Sequence, residues 1–124
     1  MKQDNILPIN AFYITALRDK RSNSRPPARW VNKKTGAIYQ RTGMDSIDLL
    51  IYIMLLSRAD KDKLTCYPSL ETICADCGGL DRRVVWQHIH ILEQMQYIDV
   101  IRARGRPNKY YMRDFAEWAK DPHY

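Results

Sequence analysis

Pro68-Ser69-Leu70-Glu71-Thr72-Ile73-Cys74-Ala75-Asp76-Cys77-Gly78-Gly79-Leu80-Asp81-Arg82-Arg83-Val84-Val85 is the stretch on which the fold turns. Ser69 follows a proline and precedes an amphipathic run, so it is placed to cap a helix in which Leu70, Ile73, Cys74 and Cys77 share one side. Gly78-Gly79 ends that helix, and Asp81 caps the next, which runs from Arg82 to about Met95. Downstream, Ile98-Asp99-Val100-Ile101 and Tyr110-Tyr111-Met112 read as two strands. The tip between them, Arg104-Gly105-Arg106-Pro107-Asn108-Lys109, carries three cations in six residues.

Working outward toward the N-terminus, Asp45 or Ser46 is placed to cap a further helix that extends to about Arg58. Ile47, Leu50, Ile51, Met54 and Leu55 form one apolar face of it, and Leu49, Tyr52, Ile53 and Leu56 form a second. Thr65-Cys66-Tyr67 is β-prone and stopped by Pro68, as the edge of a three-stranded sheet would be. The order predicts a mainly helical α+β domain over residues 45–112: a winged helix-turn-helix with a three-helix core and a small antiparallel sheet. Residues 1–44 read as a basic arm. In it Asn10 is placed to cap a short helix to about Asp19, and Lys20 to Pro27 form a polar linker. Trp30-Val31 and Ala37-Ile38-Tyr39 flank a turn at Asn32-Lys33-Lys34-Thr35-Gly36, as in a hairpin. Residues 113–124 read as a short helix and tail, with Phe115 and Trp118 on one side.

A chain of 124 residues is one domain's worth. Its net charge of +6 is unevenly spread: residues 1–44 hold nine basic and two acidic residues, residues 45–97 five and eight, residues 98–112 four and one. Positive charge therefore concentrates in the arm and the basic hairpin, which favours a polyanionic partner. Three cysteines without a secretory signal point to a reducing, cytoplasmic setting rather than a disulfide framework. The longest apolar run, Leu49 to Leu56, falls far short of a membrane span. There is no Gly-x-Ser-x-Gly, no phosphate-cradling glycine loop and no carboxylate cluster, so no enzyme, cofactor or small-molecule ligand is expected.

The helix beginning at Arg82 carries the chemistry. With Val85 at zero and about 100° per residue, Ile89 and Leu92 fall close to it and form the inward stripe, flanked by His88 and Met95. Arg83, Trp86, Gln87, His90 and Gln94 face the other way. Arg82 sits at the first turn, where free backbone N–H groups already favour phosphate. Arg can be bidentate to guanine and Gln to adenine, so this face suits major-groove base edges. Arg102, Arg104, Gly105, Arg106, Asn108 and Lys109 complete the expected double-stranded DNA surface. Arg104-Gly105-Arg106-Pro107 is also similar to the core of AT-hook peptides, so the tip suits either a narrow minor groove or plain phosphate contact.

Three segments together carry a resemblance: Tyr67 to Cys74, Gly79 to Val85, and Leu92 to Ile98. They resemble the winged-helix domains of phage and plasmid replication proteins and related prokaryotic helix-turn-helix regulators, over about residues 45–112. The resemblance implies that Arg82 to Gln94 is the recognition helix and Arg102 to Lys109 the wing. It also implies a transcription regulator or replication-initiation factor of a mobile element, prokaryotic or viral and associated with the nucleoid. Two positions depart from the family pattern: the turn is one residue longer at Gly78-Gly79, and Gln96 stands where a glycine is usual before Tyr97-Ile98.

Cys66, Cys74-x-x-Cys77 and His88-x-His90 invite a zinc reading. We expect core packing instead, since free Cys packs as a small hydrophobe and no second Cys-x-x-Cys exists. Trp86 has two readings, stacking on DNA sugar or a thymine methyl, or packing beneath the N-terminal arm. Leu49, Tyr52, Ile53 and Leu56 are left over once the other face of their helix has entered the core. A homodimer interface that includes Phe115 and Trp118 is therefore expected, the alternative being a monomer in which terminal segments cover this face, with Phe12 and Leu17 or Phe115 and Trp118. The alternative reading is a winged helix that serves as a protein-interaction module without sequence-specific DNA binding.

Overall fold

A computed structural model describes Tyr13 and residues 25–120. Apart from Tyr13, the helix expected from Asn10 to about Asp19 lies outside the described residues. The elements run β1 (Ala28–Val31), β2 (Ile38–Arg41), α1 (Ser46–Arg58), β3 (Thr65–Cys66), α2 (Leu70–Asp76), α3 (Arg82–Gln94), β4 (Asp99–Ile101), β5 (Lys109–Tyr111) and α4 (Arg113–Lys120).

Local chemistry sets the helix ends. Asp45 opens α1 with a capping box: its carboxylate accepts the Asp48 N–H at 2.8 Å, and the Asp48 carboxylate accepts the Asp45 N–H at 3.1 Å. Ser69 Oγ accepts the Thr72 N–H at 3.1 Å to open α2. Gly78 and Gly79 then turn the chain at φ +79° and +87°, a region that costs a residue with a Cβ. Asp81 accepts the Arg83 N–H at 2.7 Å and starts α3. Gln96, just past the end of α3, adopts φ +63°, and Tyr97 N–H bonds back to the Leu92 carbonyl at 3.0 Å. The family pattern prefers glycine here because this helix exit is left-handed.

The helices α1, α2 and α3 pack together as the three-helix core, and strands β3-β5-β4 form a three-stranded antiparallel sheet beside it. Cys66 pairs with Tyr110, and Val100 pairs with Tyr110 from the other side. The expected mainly helical winged helix-turn-helix is the fold observed. The expected hairpin in the arm is also present: β1 pairs with β2 from Ala28↔Arg41 to Val31↔Ile38, with Gly36 in its turn at φ +74°.

Two expectations about α1 are corrected. Its buried stripe is Asp48, Ile51, Tyr52, Leu55 and Leu56, while Leu50, expected in the core, is 38% exposed. Tyr52, Leu56, Phe115 and Trp118, expected at a homodimer interface, lie in the core of a single chain, and Leu49 and Ile53 are half-buried. The cover comes from Tyr13 and α4. The Tyr13 ring sits 5.0 Å from those of both Phe115 and Trp118. The polar atoms beneath it form a relay: Phe115 N–H donates to Tyr52 Oη at 3.0 Å, and the two tyrosine hydroxyls meet at 2.7 Å. Tyr13 Oη in turn donates to Asp114 Oδ2 at 2.7 Å, so Tyr52 must be the donor to Tyr13. Burial pushes both phenols far above their ordinary pKa, with the Asp114 carboxylate pushing the same way, so they stay protonated donors. Arg25 closes this site with hydrogen bonds to Asp114 (3.1 Å from Nε) and Glu117 (2.6 Å).

The β1–β2 hairpin is tied to the helical core, because Arg41 at the end of β2 pairs with the fully buried Asp48 of α1, which also accepts a 2.5 Å bond from His88 Nδ1 of α3. Burial raises the Asp48 pKa, but the hydrogen bonds from His88 and Arg41 outweigh it and hold the carboxyl below its ordinary range. Because a buried charge is costly unless compensated, these contacts anchor the hairpin to the helical core.

Candidate nucleic-acid interface

The expected division of α3 is present in the structure. Val85, Ile89 and Leu92 are fully buried. Arg82, Arg83, Trp86, Gln87 and Gln94 are exposed and His90 half-exposed. Asp81 caps the helix by accepting the Arg83 N–H, and the side chains of Arg82 and Arg83 are exposed beside it. Arg82 lies 3.3 Å from Glu71 of α2, but both side chains are about two-thirds exposed. A pair so solvated is weak and is readily exchanged for a phosphate.

Trp86 is 44% exposed, with its ring edge-on to His90 at 4.5 Å. It is neither bare nor sealed beneath the arm. It forms one wall of a cleft of about 830 Å³ between α3 and the β1–β2 hairpin, whose other wall includes Trp30, Lys33, Lys34 and Tyr39. Arg83, Gln87, His90 and Gln94 line the α3 side. Trp30 and Tyr39 stack at 5.7 Å across the hairpin, and the Arg41 guanidinium lies 5.8 Å from the Trp30 ring. The arm's positive charge was legible in the sequence, but none of the hairpin residues that line this cleft was assigned to the site. The visible signal was the Lys33-Lys34 pair in a glycine-closed turn.

The wing exposes Arg104, Gly105 and Arg106 to solvent, with Gly105 at φ +72° turning the tip, and Asn108 and Lys109 partly exposed at its base. Lys109 Nζ lies 5.8 Å from the Tyr67 ring. Arg102 and Gln94, both expected on the DNA surface, also tie elements of the protein together. Arg102 makes a bidentate pair with Glu93 at 2.9 Å on both arms, which ties the wing to α3 and holds the Glu93 carboxyl below its ordinary pKa. Gln94 accepts the Arg29 N–H at 2.9 Å, which ties the hairpin to the same helix.

Cys66, Cys74 and Cys77 are buried and unpaired by disulfides. Cys66 donates to the Leu55 carbonyl at 3.4 Å, and burial pushes its thiol up to about 12, so it packs as a neutral thiol. Among the described residues, the group with metal-ligating proximity is Asp45, Asp48 and His88 rather than the cysteines, and there the Arg41 guanidinium already neutralises Asp48. Among the described residues no helix is long and apolar enough to cross a membrane.

Residues 42–98 match the model of a family described as a helix-turn-helix domain. This segment takes in the turn before α1, all three core helices and the helix exit at Tyr97-Ile98. The segment is similar to a helix-turn-helix domain, a likeness that points to DNA binding, and β4–β5 adds the wing immediately after it. No match was found among curated proteins or among solved structures.

Proposed function

We propose that the protein binds double-stranded DNA with sequence preference, seating α3 in the major groove and laying the β4–β5 wing on the neighbouring backbone or minor groove. The observation that carries this reading is the exposed N-terminal half of α3: Arg82, Arg83 and Gln87 project from a helix that the turn at Gly78-Gly79 sets apart from α2. Arg83 and Gln87 read base edges, whereas Arg82, Arg104, Arg106 and Lys109 neutralise phosphates. The biological role is that of a transcription regulator or replication-initiation factor of a prokaryotic or viral mobile element, without catalysis. That role is supported by the resemblance of residues 45–112. Two copies meet on DNA at paired half-sites rather than through α1, whose apolar face is covered within one chain.

Selection of bound sequences from a random duplex pool, followed by binding measurements on the selected site, tests this reading. Arg83→Ala and Gln87→Ala should each relax preference at particular base pairs by about 1–3 kcal/mol. Arg104→Ala should weaken all duplexes alike and flatten the salt dependence. Unchanged specificity in both helix variants refutes the docking of α3.

A further inference from the structure

We propose that the β1–β2 hairpin is a second DNA clasp. In it Lys33 and Lys34 grip the sugar-phosphate strand on the side of α3 away from the wing, so that two basic hairpins bracket the recognition helix. The proposal rests on the docking of α3 in the major groove and adds a contact surface and a partner strand to it.

The placement follows from the two ties to α3. Counting about 100° per residue from the buried Val85, Glu93, which holds the wing, lies at about 80°, and Gln94, which holds the hairpin, at about 180°. Between them, on the same count, fall Trp86 at about 100°, His90 at about 140° and Arg83 at about 160°. Arg82 at about 60° and Gln87 at about 200° fall just beyond these two ties, so Arg102–Glu93 and Arg29–Gln94 mark the two flanks of the arc of α3 offered to a groove. A duplex that meets this arc also meets both hairpin tips.

The chemistry of the cleft beside this arc fits a DNA strand. Lys33, Lys34 and Arg83 contribute three cations to its lining, and among the described residues that lining contains no carboxylate. Its apolar walls come from rings, with Tyr39 and Trp86 each 44% exposed. A sugar-phosphate strand presents the complementary pair of surfaces, an anionic edge and an apolar deoxyribose face. The tip is also held in place: Asn32 Oδ1 accepts the Lys34 N–H at 2.9 Å, Asn32 N–H bonds the Ala37 carbonyl at 2.9 Å, and Arg41 ties the far end of the hairpin to buried Asp48. A preorganised pair of cations binds phosphate at a smaller entropic cost than a loose tail.

The test is fluorescence anisotropy of the full chain and of the double variant Lys33→Gln/Lys34→Gln, on the selected duplex and on an unrelated duplex, across a salt series. Removing one cation that neutralises a phosphate should flatten the slope of log K against log[salt] by about 0.9, so the double variant should flatten it by about 1.8 on both duplexes. Base preference should stay unchanged. Lys33→Arg/Lys34→Arg, which keeps the charges, should restore the slope. Both side chains are exposed, so melting should not move. If the parent chain binds duplex and the Gln variant keeps the parent slope, the clasp is refuted while α3 docking stands. If the parent binds no duplex, the docking reading itself fails. A variant that loses affinity for a single-stranded oligonucleotide but keeps the duplex slope also overturns the clasp and assigns the cleft to single strands.

Discussion

The two β-hairpins that flank α3 are alike in outline and different in what holds them. Each has short antiparallel strands, a basic tip and a glycine at positive φ, +74° for Gly36 and +72° for Gly105. The β4–β5 wing is built into a three-stranded sheet, with Tyr110 on its central strand 3% exposed and paired with both neighbours. The β1–β2 hairpin is a sheet of two strands, an arrangement that is marginal by itself in water. It owes its position to side chains: fully buried Ala28, the Arg41–Asp48 pair, and the Gln94 carbonyl that receives the Arg29 N–H. The wing should therefore stand or fall with the whole domain, whereas the β1–β2 hairpin should be detachable.

The largest effect is expected where both hairpins lose the core that supports them. Tyr52→Glu places a carboxylate where the native phenol is fully buried, and a loss on the order of 5 kcal/mol or more should unfold the chain. If the variant stays folded and a dimer dissociates instead, α1 carries an interface after all. Sedimentation and circular dichroism on the same sample distinguish the two outcomes.

Next is the wing. Tyr110→Ala empties a buried aromatic site and should lower global stability by about 3–5 kcal/mol, read as one cooperative shift in a denaturant melt. Asp48→Asn should cost about 3 kcal/mol by stranding Arg41 and His88, but with a different signature. Amide exchange should accelerate over residues 28–41 well before the wing does. Equal acceleration in both hairpins would erase the distinction between them.

Glycine replacement gives a smaller effect. An added Cβ meets nothing within 4 Å at Gly36 or Gly105, so Ala at either position incurs only the backbone strain of positive φ, about 1–2 kcal/mol. Gly105→Ala should appear in the global melt, whereas Gly36→Ala should appear mainly as faster exchange in its own hairpin.

The smallest effect is with acid. The folded Asp48 carboxyl titrates below its unfolded value of about 3.9, so the stability it supplies is fully present above that pH and is lost as pH falls through the folded pKa. Loosening of the β1–β2 hairpin should therefore begin below about pH 4. A hairpin that loosens between pH 6 and 8 would point to a different anchor.

What the sequence determined by itself is the set of elements and their order. Caps at Asp45, Ser69 and Asp81, turns at Gly36, Gly78-Gly79 and Gly105, and the Val85-Ile89-Leu92 stripe are all written in interactions between residues a few positions apart. Such signals are legible in one dimension. The exposed half of α3 followed from the same periodicity. Tertiary structure alone decided which segments cover one another. The second face of α1 looked like surplus because its cover, Tyr13 and the Phe115–Trp118 side of α4, lies 39 to 66 residues away from Tyr52 in sequence. Nothing in the sequence marked Asp48 as a buried meeting point, where Arg41 and His88 converge from two other elements. Likewise, Lys33 and Lys34 were only charges in an arm until Asp48 and Gln94 fixed that arm beside α3. Contacts between distant segments leave no periodic trace, because they are chosen by the packing of the whole chain and not by the local backbone.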